Sequence, residues 1–338
     1  MPTTQSIKML PPFRRSSWCW WFALCGLCGA FILHLNIGDY ALQWQTLFSA
    51  HSNLSQQIFW QLRFPRALGA VLVGAALGGS GSVLQTVLHN PLAEPGLLGI
   101  SSGASLAAVA LMVFAAILGW TLPVWGVMFA ALMGALLVAG LLFALARRYQ
   151  LSAGALLLFG VVIGIIAGAA LTWLLYLSPT QNLRQLLYWL MGSLSFASQQ
   201  VYQLAPIFVV VVIMLARDAK HLNALLLGER HAFALGVDVR RLRPRLVLWV
   251  SLLSAIAVAC AGTISFIGLL VPHVLRRWLG DEQRQLLWMS MLVGALSVLL
   301  ADCLALTILP GAELPIGVIT ATIGGPILFI LLIRKPYD

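Results

Sequence analysis

Long apolar runs recur along nearly the whole chain. About ten of them approach the roughly 20 helical residues that cross a hydrocarbon core of about 30 Å. They cover approximately residues 18–36, 66–88, 96–116, 122–146, 151–177, 201–216, 243–262, 264–280, 284–308 and 316–334. These runs do not alternate apolar and polar residues, as the strands of a membrane β-barrel do. The pattern therefore predicts an all-α integral membrane protein with about ten transmembrane helices.

Composition and charge support this prediction and orient the chain. Hydrophobic residues make up 61% and charged residues 9%, whereas ordinary globular domains carry about 25% charge. Basic residues near span ends are retained on the cytoplasmic side. With the N-terminus inside, 17 of the 20 Lys and Arg residues lie inside, which leaves Arg63, Arg66 and Arg184 outside. We therefore expect both termini in the cytoplasm and residues 1–338 in one transmembrane domain, with no nucleic-acid partner to explain the net charge of +10.

Signatures of catalysis are scarce. None of the three lysines follows a glycine-rich loop, so the chain has no P-loop for ATP hydrolysis. The histidines and cysteines are scattered, and we assign no metal site and no catalytic residue. Among the acids, Glu94, Asp302 and Glu313 lie at or near span ends, and none is clearly at midplane, where an ion-coupled secondary transporter usually needs one. We expect a partner to supply the energy; a secondary transporter or a membrane-embedded enzyme remains the alternative.

One segment, residues 217–242, breaks the membrane pattern with mixed charge. Its internal apolar residues predict two short helices that turn at Gly228 and Gly236. An apolar face without a partner would be an exposed patch, so we interpret this segment as a docking surface. The residues that would form the apolar faces are Leu225, Leu226, Leu227, Phe233, Leu235 and Val237.

Two further stretches predict local structure. The prolines of "NPLAEPGLLG", Pro91 and Pro95, lack backbone donors and should stop the second span and turn the chain back. The glycines of "GAALGGSGS" (74–82) should let helices pack closely. On the predicted outer side, Arg63 and Arg66 lie in "RFPR"; because guanidinium groups form bidentate contacts with carboxylates, we expect the pair to capture an acidic surface.

Four blocks of sequence carry a resemblance to a known family. They are "QLRFPRALGAVLVGAALGGSGSVLQTVLHNPLAEPGLLGISSGA" (61–104), "LLLGERHAFALGV" (225–237), "GTISFIGLLVPHVLRR" (262–277) and "AELPIGVITATIGGP" (312–326). In order and spacing they resemble the permeases of binding-protein-dependent ABC importers for iron-siderophores, haem and cobalamin. With "NLRQLLYWLMGSL" (182–194) they look most similar to the cobalamin carriers, and haem or a ferric siderophore is the alternative substrate.

The resemblance implies a homodimer of ten-span subunits in the bacterial inner membrane. Two ABC ATPase subunits, which bind ATP and Mg, would dock inside, and a periplasmic binding protein outside; this chain would hold no cofactor. Relatives commonly carry an arginine where this chain has Leu306. The resemblance assigns ATPase coupling to Leu227, Gly228, Glu229, Leu235 and Gly236, binding-protein docking to Arg63 and Arg66, and the gate of the translocation path to Asn90 and Ser152.

Overall fold

The computed structural model describes residues 13–38, 40, 54–149, 151–195, 197–309 and 311–333, and within them the chain is helical with short connections. The α-helices of the described ranges are α1 Phe13–Asn36, α2 Leu54–Gln57, α3 Phe64–Val87, α4 Ile100–Leu118, α5 Val124–Tyr149, α6 Ala153–Leu177, α7 Thr180–Leu190, α8 Ala197–Ala219, α9 Leu222–Leu226, α10 Glu229–Ala234, α11 Val239–Ala261, α12 Ile267–Leu279, α13 Gln283–Thr307 and α14 Ile316–Ile333. The predicted all-helical fold is confirmed.

Eight described helical segments are long and apolar enough to cross a membrane, and a ninth apolar stretch, Ile316–Leu331, is shorter. The eight are Trp18–Asn36, Leu54–Val87, Ile100–Leu118, Trp125–Tyr149, Gly154–Leu177, Gln200–Ala219, Val239–Ala261 and Gln283–Thr307. The remaining predicted span, 264–280, corresponds to α12, which has only 13 residues. At 1.5 Å per residue α12 is about 20 Å long, which is less than the hydrocarbon thickness.

The backbone before α12 explains why this helix begins after the start of the apolar run. Residues 262–266 are not helical, and the segment is bounded by Gly262 at φ 69° and Phe266 at φ 70°. Positive φ is readily adopted by glycine and is strained for a bulky residue such as phenylalanine. The apolar run of the sequence continues across this break, so hydropathy alone joined an irregular segment to a short helix.

The centre of the bundle is α3, most of whose residues are buried. A π-helical turn, Ile58–Arg63, joins it to α2. Its glycines meet the backbone of neighbouring helices directly. A Cβ atom on Gly74 would lie 2.2 Å from the carbonyl oxygen of Gly294, and one on Gly78 would lie 2.0 Å from that of Ser290. The prediction that glycines 74–82 allow close packing is therefore confirmed, and we call these contacts between α3 and α13 the glycine seam.

The glycines of α6 have unequal surroundings. Gly160 packs against the short 3-10 turn Pro95–Leu98, since a Cβ on it would lie 2.6 Å from Cα of Leu98. A Cβ on Gly168 would meet no atom within 4 Å among the described residues. Close packing along this helix is thus found at Gly160 and not at Gly168 within this chain, and much of α6 is exposed.

Candidate functional sites at the two ends of a buried helix

An ionic cluster lies at the start of α3. The guanidinium group of Arg66 donates from Nε to Oδ2 of Asp302 over 2.8 Å and from Nη2 to Oδ1 over 2.9 Å. Nε2 of His34, on α1, donates to the same Oδ2 over 2.7 Å. Asp302 lies on α13 and is fully buried. The carboxylate therefore joins three helices. Removal of Arg66 or of Asp302 would leave the other residue's charge buried without its main counter-charge.

A second carboxylate, Glu313, extends the cluster to the surface. Its Oε1 accepts from Nη1 of Arg66 over 2.9 Å, and its Oε2 accepts from the hydroxyl of Ser195. The hydroxyl of Tyr188, on α7, donates to the backbone oxygen of Glu313 over 2.5 Å. Whereas Asp302 is buried, the side chain of Glu313 is 41% exposed. The pKa of Tyr188 is raised, chiefly by its partial burial and then by the negative charge of Glu313.

The neighbouring Arg63 is buried and is held by backbone oxygens. Its Nη1 donates to Leu35 over 3.0 Å and its Nη2 to Tyr40 over 2.5 Å. Both arginines predicted to dock a binding protein thus have partners within the chain, and only a small part of Arg66 faces solvent. Their docking role stays a prediction, to which the structure adds a role in holding α1, α3 and α13 together.

The sequence pattern did not predict the roles of His34 and Asp302 in this cluster. The available signal was that each is a titratable residue inside or at the edge of an apolar run, where such residues are costly unless paired. Leu306, where the resemblance leads us to expect an arginine, follows Asp302 by four residues and so lies one helical turn further along the same face of α13.

At the other end of α3 the chain turns sharply. His89 has a positive φ of 49°, and Oδ1 of Asn90 accepts from the amide of Leu92 over 2.9 Å. The predicted gate residue Asn90 therefore also caps this turn. Burial raises the pKa of Glu94, and a hydrogen bond from the backbone of Phe266 partly opposes that shift.

The segment after α8 forms the two predicted short helices, α9 and α10. They turn at Gly228, with φ 89°, and α10 is followed by Gly236, with φ 81°. Leu222 and Leu225 of α9 and Ala232 of α10 are buried. Three large apolar side chains also point outward: Leu227 is 59% exposed, Phe233 78% and Leu235 63%. We call α9, α10 and these exposed residues the loop helices; the side chain of Glu229 lies outside what the structure describes.

Side-chain hydrogen bonds attach α9 to the membrane helices. Nε2 of His89 lies 2.9 Å from the backbone oxygen of Leu225. Oδ1 of Asn223 accepts from the amide of Gln283 over 2.8 Å, and its Nδ2 donates to Oε1 of Glu282 over 3.2 Å. The loop helices are thus fixed both to the turn after α3 and to the start of α13.

Ser152, the other predicted gate residue, caps α6 by accepting from the amide of Ala155 over 3.3 Å. It lines a cavity of about 1060 Å³ together with Gly236, so one cavity has both a predicted gate residue and a predicted coupling residue in its wall. The cavity wall is basic and contains Arg147, Arg240, Arg241, Arg243 and Arg245.

A bundle of membrane-length helices around a buried helix, with two short helices attached at one end, is the architecture of a multi-pass membrane protein. The chain belongs to the FecCD transport family, whose pattern matches residues 26–334. It is a permease subunit and not itself an ATPase, and the resemblance inferred from the sequence is confirmed.

Named relatives and a solved structure agree with this assignment. The chain is 45% identical to the "Vitamin B12 import system permease protein BtuC" of Vibrio cholerae serotype O1, over 96% of this chain and 95% of that protein. It is 46% identical to the protein of the same name from Vibrio vulnificus, over 90% of each. A structure described as an inward-facing conformation of a metal-chelate type ABC transporter superposes with a TM-score of 0.81 at 30% identity, over 95% of this chain and 100% of that one.

Proposed function

We propose that this chain is the permease subunit of an ABC importer for vitamin B12. The observation that carries the proposal is the identity of 45% over 96% of the chain to a protein named for that import system. In the proposed assembly two copies of the chain form the translocation path, two ATPase subunits bind the cytoplasmic side, and a periplasmic binding protein delivers the vitamin. ATP and Mg are bound by the ATPase subunits.

The proposed topology has ten spans and both termini in the cytoplasm. In it, α12 and the irregular segment 262–266 together count as one crossing, and α14 provides the last. Irregular backbone is tolerated at membrane depth where it is buried in protein or lines a water-filled cavity. This places the loop helices in the cytoplasm and the Arg66 cluster on the periplasmic side.

The loop helices are the proposed docking site for the ATPase. Exposed Leu227, Phe233 and Leu235 support this role, because their burial against a partner would remove apolar surface from water. Gly228 also supports it: a Cβ there would meet no described atom within 4 Å, and its positive φ sets the angle between the two helices. Glu229 and Gly236 complete the proposed surface.

The exposed face of α6 is the proposed contact with the second copy. Ile165, Ile166 and Trp173 are each more than 60% exposed in the single chain, and the open surface over Gly168 would admit a close helix. Asn90 and Ser152 would narrow the cytoplasmic mouth of the path that the two copies enclose.

The proposed docking of the binding protein uses Arg63 and Arg66. This proposal is supported by the exposure of Arg66 and Glu313, which reach the surface at the edge of the ionic cluster. A carboxylate of the binding protein would approach Arg66 from the side that Glu313 now occupies.

The decisive experiment measures uptake of labelled vitamin B12, haem and a ferric siderophore. Cells that lack their own permeases would express this chain with its cognate ATPase and binding protein. We expect uptake of vitamin B12 alone, and its loss when the ATPase is inactivated. Uptake of haem or the siderophore in its place would contradict the proposed substrate, while uptake that survives ATPase inactivation would contradict the energy source.

A separate variant tests the docking site. Glu229→Arg should abolish the coupling of uptake to ATP hydrolysis while the permease remains folded, as judged by its elution in size-exclusion chromatography. Unchanged uptake in this variant would remove the loop helices from the mechanism.

A further inference from the structure

The imidazole of His89 bridges two parts of the chain that lie 136 residues apart. Its partner is the backbone oxygen of Leu225, which can only accept a hydrogen bond. Nε2 must therefore carry the proton and donate, over 2.9 Å. The bond connects the turn that holds Asn90 directly to α9, the first of the loop helices.

The backbone at His89 is adapted to this contact. Its φ of 49° is in the left-handed region, which among residues with side chains is adopted most readily by Asn, Asp and His. The neighbouring bonds are short-range: the amide of His89 donates to the oxygen of Thr86 over 3.3 Å, and that of Asn90 to Gln85 over 3.1 Å. The turn is thus a compact unit at the end of α3, and the imidazole is its link to α9.

A second link closes a ring of contacts. Asn223, two residues before Leu225, bonds the amide of Gln283, and the side chain of Gln283 bonds the hydroxyl of Thr86 on α3. Displacement of α9 therefore acts on α3 at two points, through Gln283 at its last turn and through His89 beyond it. Only the second point lies in the turn that contains Asn90.

We infer that His89 is the positioning residue that transmits movement of the loop helices to the turn bearing Asn90. The inference rests on the proposed function, in which the ATPase moves the loop helices and Asn90 narrows the path. The hydrogen bond to Leu225 makes the turn follow α9, so that nucleotide binding by the partner changes the cytoplasmic mouth.

Two substitutions of His89 separate the contact from the backbone conformation. His89→Asn keeps a residue that favours the left-handed region, but its side chain is too short to reach Leu225. His89→Gln keeps an N–H donor on a longer side chain. The assembled importer, reconstituted in vesicles with its ATPase and binding protein, gives the ratio of vitamin B12 transported to ATP hydrolysed.

We expect the ratio to fall about fivefold in His89→Asn, the size of effect that loss of one hydrogen bond produces, and to stay close to that of the wild type in His89→Gln. The matched control is His221→Asn, the same chemical change at the N-cap of α9, where the histidine side chain makes no capping bond. A wild-type ratio in His89→Asn would overturn the inference. So would equal losses in both His89 variants.

A measurement on the wild-type complex does not depend on the variants folding. Amide hydrogen exchange is compared with and without a non-hydrolysable ATP analogue. Exchange in residues 88–94 should change together with that in 222–228, and a change confined to 222–228 would overturn the inference. Failure of the proposed function would instead appear as absence of ATP-dependent uptake by the wild type, whatever His89 does.

Discussion

The two ends of α3 differ in whether the side chains there find their partners within this chain. At its start, Arg66 makes three hydrogen bonds to Asp302 and Glu313 within the chain. Beyond its end, the loop helices leave Phe233 and Leu235 mostly exposed. The Arg66 cluster stabilises the single chain, whereas the apolar side chains of the loop helices would be buried only against another protein. A change at the first should therefore cost folding, and a change at the second should cost association.

The largest expected effect is at the ionic cluster. Asp302→Ala would leave Arg66 buried without its main counter-charge, which costs about 3–5 kcal/mol in such sites. We expect a large loss of folded permease and a lower unfolding temperature, measured by fluorescence-detected size-exclusion chromatography after heating.

The matched control for this change is Asp281→Ala. Asp281 pairs with Arg276 over 3.3 Å and is 71% exposed, and surface pairs contribute about 0–1 kcal/mol. Equal unfolding temperatures for the two variants would show that the cluster is not the stabilising region.

The next largest effect is expected at the loop helices and should leave stability unchanged. Phe233→Ser removes an aromatic ring that is 78% exposed in the single chain. If the ring is buried against the ATPase, the loss is about 1.5–3 kcal/mol of binding free energy. Co-purification of the ATPase at graded concentrations measures it. Unchanged affinity would contradict the docking role, and a lower unfolding temperature would contradict the contrast between the two ends.

A smaller effect is expected from Glu313→Gln. This change keeps the shape of a side chain that is 41% exposed but removes the charge facing Arg66, so it should cost about 0.2–1 kcal/mol of stability. In the proposed function it also removes a competitor for Arg66, so affinity for the binding protein should rise. Reduced affinity in a pull-down titration would show that Glu313 is itself part of the docking contact.

The smallest effect concerns Glu94, in the turn after α3. Burial raises its pKa above the ordinary value of 4.5. The folded chain therefore holds this proton more tightly than the unfolded chain, and the resulting stability is lost as pH rises through the folded pKa. Glu94→Gln should match the wild type below pH 4.5 and become the more stable of the two at neutral and alkaline pH. Unfolding temperatures measured across this range check the sign, and a constant difference at all pH values would contradict it.

The sequence predicted local features well. Gly228 and Gly236 mark turns because glycine adopts positive φ at little cost, and the apolar residues around them indicated that a folded surface was present. The glycines at 74–82 indicated close packing because small residues permit it wherever the partner helix lies. In both cases the physical cause is contained within a few neighbouring residues.

Features that depend on distant partners were out of reach. Arg66 and Asp302 are 236 residues apart, and nothing in either local sequence says that they meet. The arginine pair was therefore predicted to capture an acidic surface, with no sign of the partners that the chain itself supplies. The break at 262–266 was missed for a related reason, since hydropathy records how apolar a segment is and not whether its backbone is regular.

The glycine seam also limits which movements transport can use. Where the backbones of α3 and α13 touch at Gly74 and Gly78, with no side chain between them to change rotamer, sliding or separation would open a gap along the helix pair. The two helices should therefore move together as one rigid unit. Any hinge that transport uses should therefore lie outside this pair.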